Sequence, residues 1–344
     1  MDFTPTEEQA EARDLAGRIF ADLAPHERLA AADTGSDPEL WKALCGAGLV
    51  SAVEELGLLG LVLLLGEQGR TTAQMPFAAS CVYGVLAVSA HGTPEQRERL
   101  LPGIGDGSVV VTGALSATVA PTLPGAHAHG ELTGMVPVVP WLRDATHVLI
   151  ADASCRLWLT PLTEATRTDP VELTAPWSAG RLTLDRAPAQ PLGGQDAYAD
   201  VVATARTAFA GLQAGVCAGS LARAVAHTNA REQFGRPLAT RQGVQLRAAD
   251  AYMDTEAIRV TAYEAAWRRD AGLPYATHAL TAAWWAAEGG QRVVHAGQHL
   301  HGGAGADPDH PVHRHFLWGR QLDAYLGCGS EVLQELGELI AGGE

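Results

Sequence analysis

The sequence predicts a mostly helical α+β protein, on three observations. Helical punctuation and period run from the N-terminus to about residue 110. Short β-rich segments follow over 111–195, and long alanine-rich helical patterns occupy 196–344. The expected organisation is an N-terminal helical domain over 1–110, a central β-domain over 111–195, and a helical domain over 196–344.

The first region carries its own helix signals. Thr6 and Gln9 form a capping-box pair, with Ala12, Leu15, Ile19 and Leu23 on one face. Asp37 before Pro38 marks a second helix start. Thr93, Pro94 and Gln96 repeat that grammar, and Pro102 is expected to end the helix. The second region reads as strands: "SVVVTGALS", "GMVPVVP", "THVLIADA", "RLWLTPL" and "GRLTLD", divided by Pro, Gly and Asp. Strands this short and numerous suggest a small antiparallel barrel or sandwich. In the third region, "GVQLRAADAYMDTEAIRVTAYEAAWRRDAG" and "YATHALTAAWWAAEGGQRVVHAGQHL" are too long for strands and end at Gly-containing turns.

Composition narrows the function. A formal net charge of −15 argues against a nucleic-acid surface, which needs concentrated Lys and Arg. Cys45, Cys81, Cys155, Cys217 and Cys328 are odd in number and scattered, which suits a reducing cytoplasm and neither a disulfide framework nor a zinc spacing. The N-terminus is acidic and polar, so no signal peptide is expected. The apolar run over 57–66 is roughly half the length of a membrane helix. A cytoplasmic protein without membrane or nucleic-acid partners is expected.

Two segments carry the chemistry. In "REQFGRPLATRQGVQ" (231–245), a turn between helical patterns presents Arg231 and Arg236, which suit phosphate. In "HLHGGAGADPDHPVHR" (299–314), glycines let the backbone approach a ligand, and the next helix offers N–H groups to an anion. His310, His313 and His315 raise the possibility of zinc, but no carboxylate–histidine second shell is evident and no metal is expected.

"R-x-x-F-G-R-P-L" with Gln242 and Gln245, followed by "H-G-G-x-G" and "H-P-V-H-R", resembles the acyl-CoA dehydrogenase family, as does "LPGIGDG" near residue 105. The resemblance covers nearly the whole chain. It implies a helical domain, a small β-barrel or sandwich, and a C-terminal four-helix bundle. It also implies FAD lying across a subunit interface, with Arg231, Gln233, Phe234 and Gln242 of the first segment and His299, Gly302 and Gly303 of the second holding its pyrophosphate and adenosine. His310 to Arg314 match the family pattern rather than a metal site.

The family's reaction takes an α-proton from an acyl-CoA with a carboxylate base and passes the β-hydride to the flavin. The resemblance places that base either after Tyr325, where this chain has Leu326 (or Gly327, shifted by one), or before Arg206, where it has Ala205. Neither position carries a proton acceptor. Asp323, Glu331 and Glu256 are the nearest acids, and are read as solvated or helix-capping groups. On the flavin side, "TGALSATVAPTLPG" stands where relatives carry a T-E-P…G-S-D-like loop, and "VPVVPWLRD" where they carry a Trp/Phe-Ile-Thr/Ser segment. The pattern therefore resembles the shorter, non-catalytic subunit of actinobacterial heteromeric (α2β2) acyl-CoA dehydrogenases linked to steroid side-chain degradation. That implies a Glu-bearing catalytic partner through which a bulky acyl-CoA is oxidised. Two alternatives stand beside it: an autonomous homotetramer with a relocated base (Asp323 or Glu331), and a structural or regulatory relative that binds no FAD.

Overall fold

A computed structural model describes residues 2–115, 119–122 and 130–342 of the chain. Its elements run α1 (Glu7–Leu23), α2 (His26–Ala31), α3 (Pro38–Gly46), α4 (Val53–Thr71), and then α5 (Phe77–Ala79), which passes through a π-helical stretch (Ser80–Leu86) into α6 (Ala87–His91), and α7 (Pro94–Asp106). Seven strands follow: β1 (Val111–Ala114), β2 (Ala120–Thr122), β3 (Gly130–Val139), β4 (His147–Ala151), β5 (Leu157–Pro161), β6 (Thr166–Pro170) and β7 (Gly180–Pro191). Then come α8 (Ala197–Ala230), the short strands β8 (Glu232–Gln233) and β9 (Arg236–Pro237), α9 (Gln242–Asp270), α10 (Ala276–His301), α11 (Pro311–Leu322) and α12 (Gly329–Ala341). This is the mostly helical α+β architecture expected, with helices first, a central sheet and helices last.

The chain divides into two compact units: residues 1–31, 58–73 and 206–344 form one, and residues 32–57 and 74–205 the other. Two of its four boundaries fall inside helices, one in α4 beside Gly57 with its left-handed φ of 72° and one in α8. In the unit that holds the sheet, the strand order is β1-β4-β5-β7-β3-β2, with β6 also on β7. Every pairing in it is antiparallel except β1 with β4, a parallel pair that short alternating segments cannot announce. Strand β7 pairs with β6 through residues 180–184 and with β5 at 190–191; between these stretches Arg186 has a φ of 49°. Leu132, Val136, Val148, Ile150, Trp158, Leu182 and Leu184 fill the core of this sheet. Strands β2 and β6 escaped the sequence reading because each is short and lacks an apolar run.

Helix α7 runs past Pro102 to Asp106 and closes at Gly107 in the left-handed conformation, correcting the expected stop. The bond lost at Pro102 is the one from its own nitrogen to the carbonyl four residues earlier, at exposed Glu98, where water can serve instead. The expected capping boxes at Thr6/Gln9 and Thr93/Gln96 form, and Asp37 caps α3.

In the other unit, the second half of α4 lies against α8 at glycines. A Cβ on Gly215 would strike the Gly66 backbone, so only glycine lets these helices approach so closely. Asp270, at the end of α9, accepts the Leu58 and Leu59 N–H groups at 2.8 Å each, capping α4 where it restarts after Gly57. Leu61, Leu64, Leu212, Val216, Ile258, Ala265, Val294 and Trp318 are buried here.

Candidate functional site

The first segment is built on the end of α8. The Arg231 N–H closes the last turn onto the His227 carbonyl at 2.8 Å, and β8 and β9 then form a tight hairpin. Its two central residues, Phe234 (φ 55°) and Gly235 (φ 74°), both have positive φ, as a primed two-residue turn requires. Glycine adopts this freely, but phenylalanine does so at a cost. Phe234 is 89% exposed, and the Arg241 guanidinium stacks 5.0 Å from its ring centre. Arg241 also donates to the Gln233 carbonyl at 2.9 Å, bracing the hairpin. Arg231, Gln233 and Gln242, the first residue of α9, are likewise exposed.

The second segment is the end of α10. Gly302 adopts φ 63° and ψ −140°, and a Cβ added at Gly302 or Gly303 would meet nothing within 4 Å. The backbone of this turn thus borders open space. His299 is exposed on the helix before it. The predicted residues therefore form two groups, Arg231, Gln233, Phe234 and Gln242 on one turn and His299, Gly302 and Gly303 on the other.

What joins them is a histidine cluster, of which the sequence draws attention only to His310. The ring of His227, one turn before Arg231, lies 4.6 Å from that of His301, the residue before Gly302, and His301 meets His310 edge-on at 4.9 Å. The only available signal was spacing: His227 stands four residues before Arg231, one helical turn. Exposed guanidinium, exposed aromatic and glycine backbone facing open space are donors and surfaces that fit a pyrophosphate and adenosine.

The base turn lies between α11 and α12. The Leu326 carbonyl accepts from Arg206 Nε at 3.3 Å, while the Arg206 guanidinium forks onto Glu335 at 2.8 and 2.7 Å. Tyr325 packs edge-on to Phe209, ring centres 4.6 Å apart. The cavity among Arg206, Phe209, Ala286, Tyr325, Leu326 and Gly327 has a volume of about 20 Å³, enough for one water and far too little for a thioester. Ala205 is fully buried. Among the described residues, no acid lines this cavity. Glu331 accepts the Cys328 N–H at 3.0 Å, and that backbone bond holds its carboxyl below the usual range. Asp323 sits 3.3 Å from Arg320; burial, with help from the Glu288 charge and against Arg320, pushes it up to about 6. Glu256 is paired with Arg259.

In the unit holding the sheet, the Thr112 hydroxyl donates to the Pro140 carbonyl at 2.6 Å. Trp141 (φ 55°) is fully buried and stacked on Trp177, ring centres 4.3 Å apart. The aromatic of the "VPVVPWLRD" segment is thus committed to an internal stack. Residues 116–118 and 123–125 of the loop "TGALSATVAPTLPG" lie outside the described residues.

Two of the three C-terminal histidines are otherwise employed. His310 Nδ1 accepts the Val312 N–H at 3.2 Å, and both nitrogens of His315 face carbonyls, of Pro311 at 3.1 Å and Arg70 at 3.0 Å. Among the described residues, no group of three His, Cys, Asp or Glu is arranged to hold a metal ion. Helix α8 is long and apolar enough to cross a membrane, but 83% of its most apolar window is buried, as in the core helix of a folded domain.

Residues 6–108 match the family model described as acyl-CoA dehydrogenase, N-terminal domain, and residues 193–336 the model for the C-terminal domain. The acyl-CoA dehydrogenase FadE27 of Mycobacterium tuberculosis is 32% identical over 99% of both chains. Among solved structures, a variant of the steroid ACAD Tcur3481–Tcur3483 is 41% identical with a TM-score of 0.93, covering 98% of each chain. The ChsE4–ChsE5 complex from Mycobacterium tuberculosis is 30% identical with a TM-score of 0.93, covering 100% of each. With fold, both terminal regions and end-to-end similarity in agreement, the chain belongs to the acyl-CoA dehydrogenase family.

Proposed function

We propose that this chain is the non-catalytic subunit of a heteromeric, FAD-dependent acyl-CoA dehydrogenase, α2β2 in composition, that desaturates a bulky, steroid side-chain acyl-CoA. Family members use FAD, and relatives such as ChsE4–ChsE5 form heteromeric complexes. The steroid assignment draws on the similarity to the steroid ACAD Tcur3481–Tcur3483.

The observation that carries this reading is the base turn: a cavity of about 20 Å³ around Leu326, with no carboxylate on its wall among the described residues. A thioester α-carbon is a weak acid, and without a poised base and room for the acyl group the chain has no means of deprotonating it. The internal Trp141–Trp177 stack supports the same view from the flavin side. The adenine end differs. Arg231 and Gln233 would hold the pyrophosphate, Phe234 would cover the adenosine, and Gln242, His299 and the backbone at Gly302 and Gly303 would complete the clamp. When bound, FAD supplies the hydride acceptor, and a Glu-bearing partner supplies the base. This chain's own residues bind and orient the nucleotide end.

The test is to purify the chain alone and with a Glu-bearing homologous subunit, recording flavin absorbance and acyl-CoA turnover. Both should depend on the pair, and a yellow, active homo-oligomer of this chain alone would reverse the assignment. Arg231→Ala should lower the FAD affinity of the pair about tenfold or more, the value of a charge-assisted hydrogen bond. One observation favours a second reading, an autonomous homotetramer with a relocated base: the position of Asp323, pushed up to about 6 close to the base turn.

A further inference from the structure

His310 caps α11 in a way open only to a neutral imidazole. Its Nδ1 accepts the Val312 N–H at 3.2 Å, which requires a lone pair on that nitrogen. Protonation removes the acceptor and sets a cation at the positive end of the helix. The same ring meets His301, whose Nδ1–H donates to the Gly297 carbonyl at 2.7 Å and whose ring lies 4.6 Å from that of His227, tilted by 30°. The glycine turn at 302–306 is therefore tied at its start to α8 through His301, and beyond its end to α11 through His310.

The charged and titratable groups around the cluster are unbalanced. Helix α8 contributes Arg223, His227 and Arg231, α10 contributes His301, and the segment after the glycine turn contributes Asp307, the lone anion among them. His26 reaches the Asp309 carbonyl nearby at 2.8 Å. Burial first, and then repulsion from His301 and the neighbouring cations, holds both His227 and His310 below the ordinary imidazole range.

We propose that neutral His310 is a positioning residue for the nucleotide clamp: as the cap of α11 and the end of the histidine cluster it latches the glycine turn in place, and its protonation slackens that turn. This rests on the clamp reading above. A histidine whose folded pKa is depressed contributes stability that is complete above the ordinary value of 6.5 and is lost as pH falls through the lower folded value. The latch is thus closed in neutral and alkaline solution and opens in acid.

Two readouts on the full chain test this. Amide hydrogen exchange at Val312, corrected for intrinsic rate, reports the latch. FAD affinity of the complex with a Glu-bearing partner reports the clamp. Between about pH 7.5 and a pH low enough to protonate His310, below its depressed pKa, wild-type protection at Val312 should fall about fivefold, the loss of an N-cap. His310→Asn, a cap that does not titrate, should stay protected at both pH values, and His310→Ala should be low at both. FAD affinity should follow the same pattern. An equal pH response in wild type and His310→Asn overturns the latch. A pH-dependent Val312 amide with FAD affinity unmoved in every variant leaves the latch in place and overturns the clamp reading on which the positioning role depends.

Discussion

Replacing Asp323 with Asn separates the two readings of the base turn. Burial moves the Asp323 carboxyl from its ordinary 3.8 up to about 6, roughly two pH units. At about 1.4 kcal/mol per unit this is an upper bound of ~3 kcal/mol. The Asp323 carboxyl is itself only partly buried, so hydration reduces the figure to about 1–2 kcal/mol. A carboxyl whose folded pKa is raised binds its proton more tightly when folded. Its contribution is therefore present below 3.8 and lost as pH rises through about 6, so that the ionised group destabilises the fold at neutral pH. Asp323→Asn carries no such charge. It should be about 1–2 kcal/mol more stable than wild type in urea unfolding near pH 7.5, with the difference vanishing near pH 4. Turnover of the complex should be unchanged. Loss of turnover in an intact, flavin-loaded complex would make Asp323 the base, and a variant no more stable at neutral pH would refute the account of its titration.

Two further substitutions probe the two ends of the nucleotide. Trp141→Ala removes a fully buried, stacked indole and should destabilise the chain by about 3–5 kcal/mol, read as a lowered Tm. FAD affinity per folded complex should not change, and a drop would mean that the indole contacts flavin. Gly302→Ala forces a side chain onto φ 63°, ψ −140°, a conformation almost confined to glycine and costing other residues about 1–3 kcal/mol. FAD titration of the complex should show affinity about tenfold lower, and unchanged affinity would remove this turn from the clamp.

Much of the fold was legible because its signals are local. Thr6, Asp37 and Thr93 cap the helices they were expected to cap, since a cap is decided within four residues. That "QFGR" is a turn was legible for the same reason, from Gly235 followed by Arg-Pro, whereas the two-residue hairpin with Phe234 at positive φ was not. Pro102 misled because the carbonyl it leaves unpaired, at Glu98, is exposed and can be served by water. The parallel pairing of β1 with β4 could not be read, because pairing partners are separated by more than thirty residues and register leaves no local trace.

The candidate site divides along the same line. Residue type by itself established that Leu326, Gly327 and Ala205 offer no proton acceptor, and that arginine, aromatic and glycine suitable for a nucleotide occur in two segments. Only the tertiary structure decided that the cavity beside Leu326 is nearly filled, that Glu331 is spent on a helix cap and Asp323 on Arg320, and that Trp141 turns inward onto Trp177. It also decided that His227, His301 and His310 meet. The physical reason is that chemical identity belongs to a side chain, whereas room, partnership and protonation belong to its neighbours, and those neighbours lie as much as 120 positions away along the chain, as Arg206 does from Leu326.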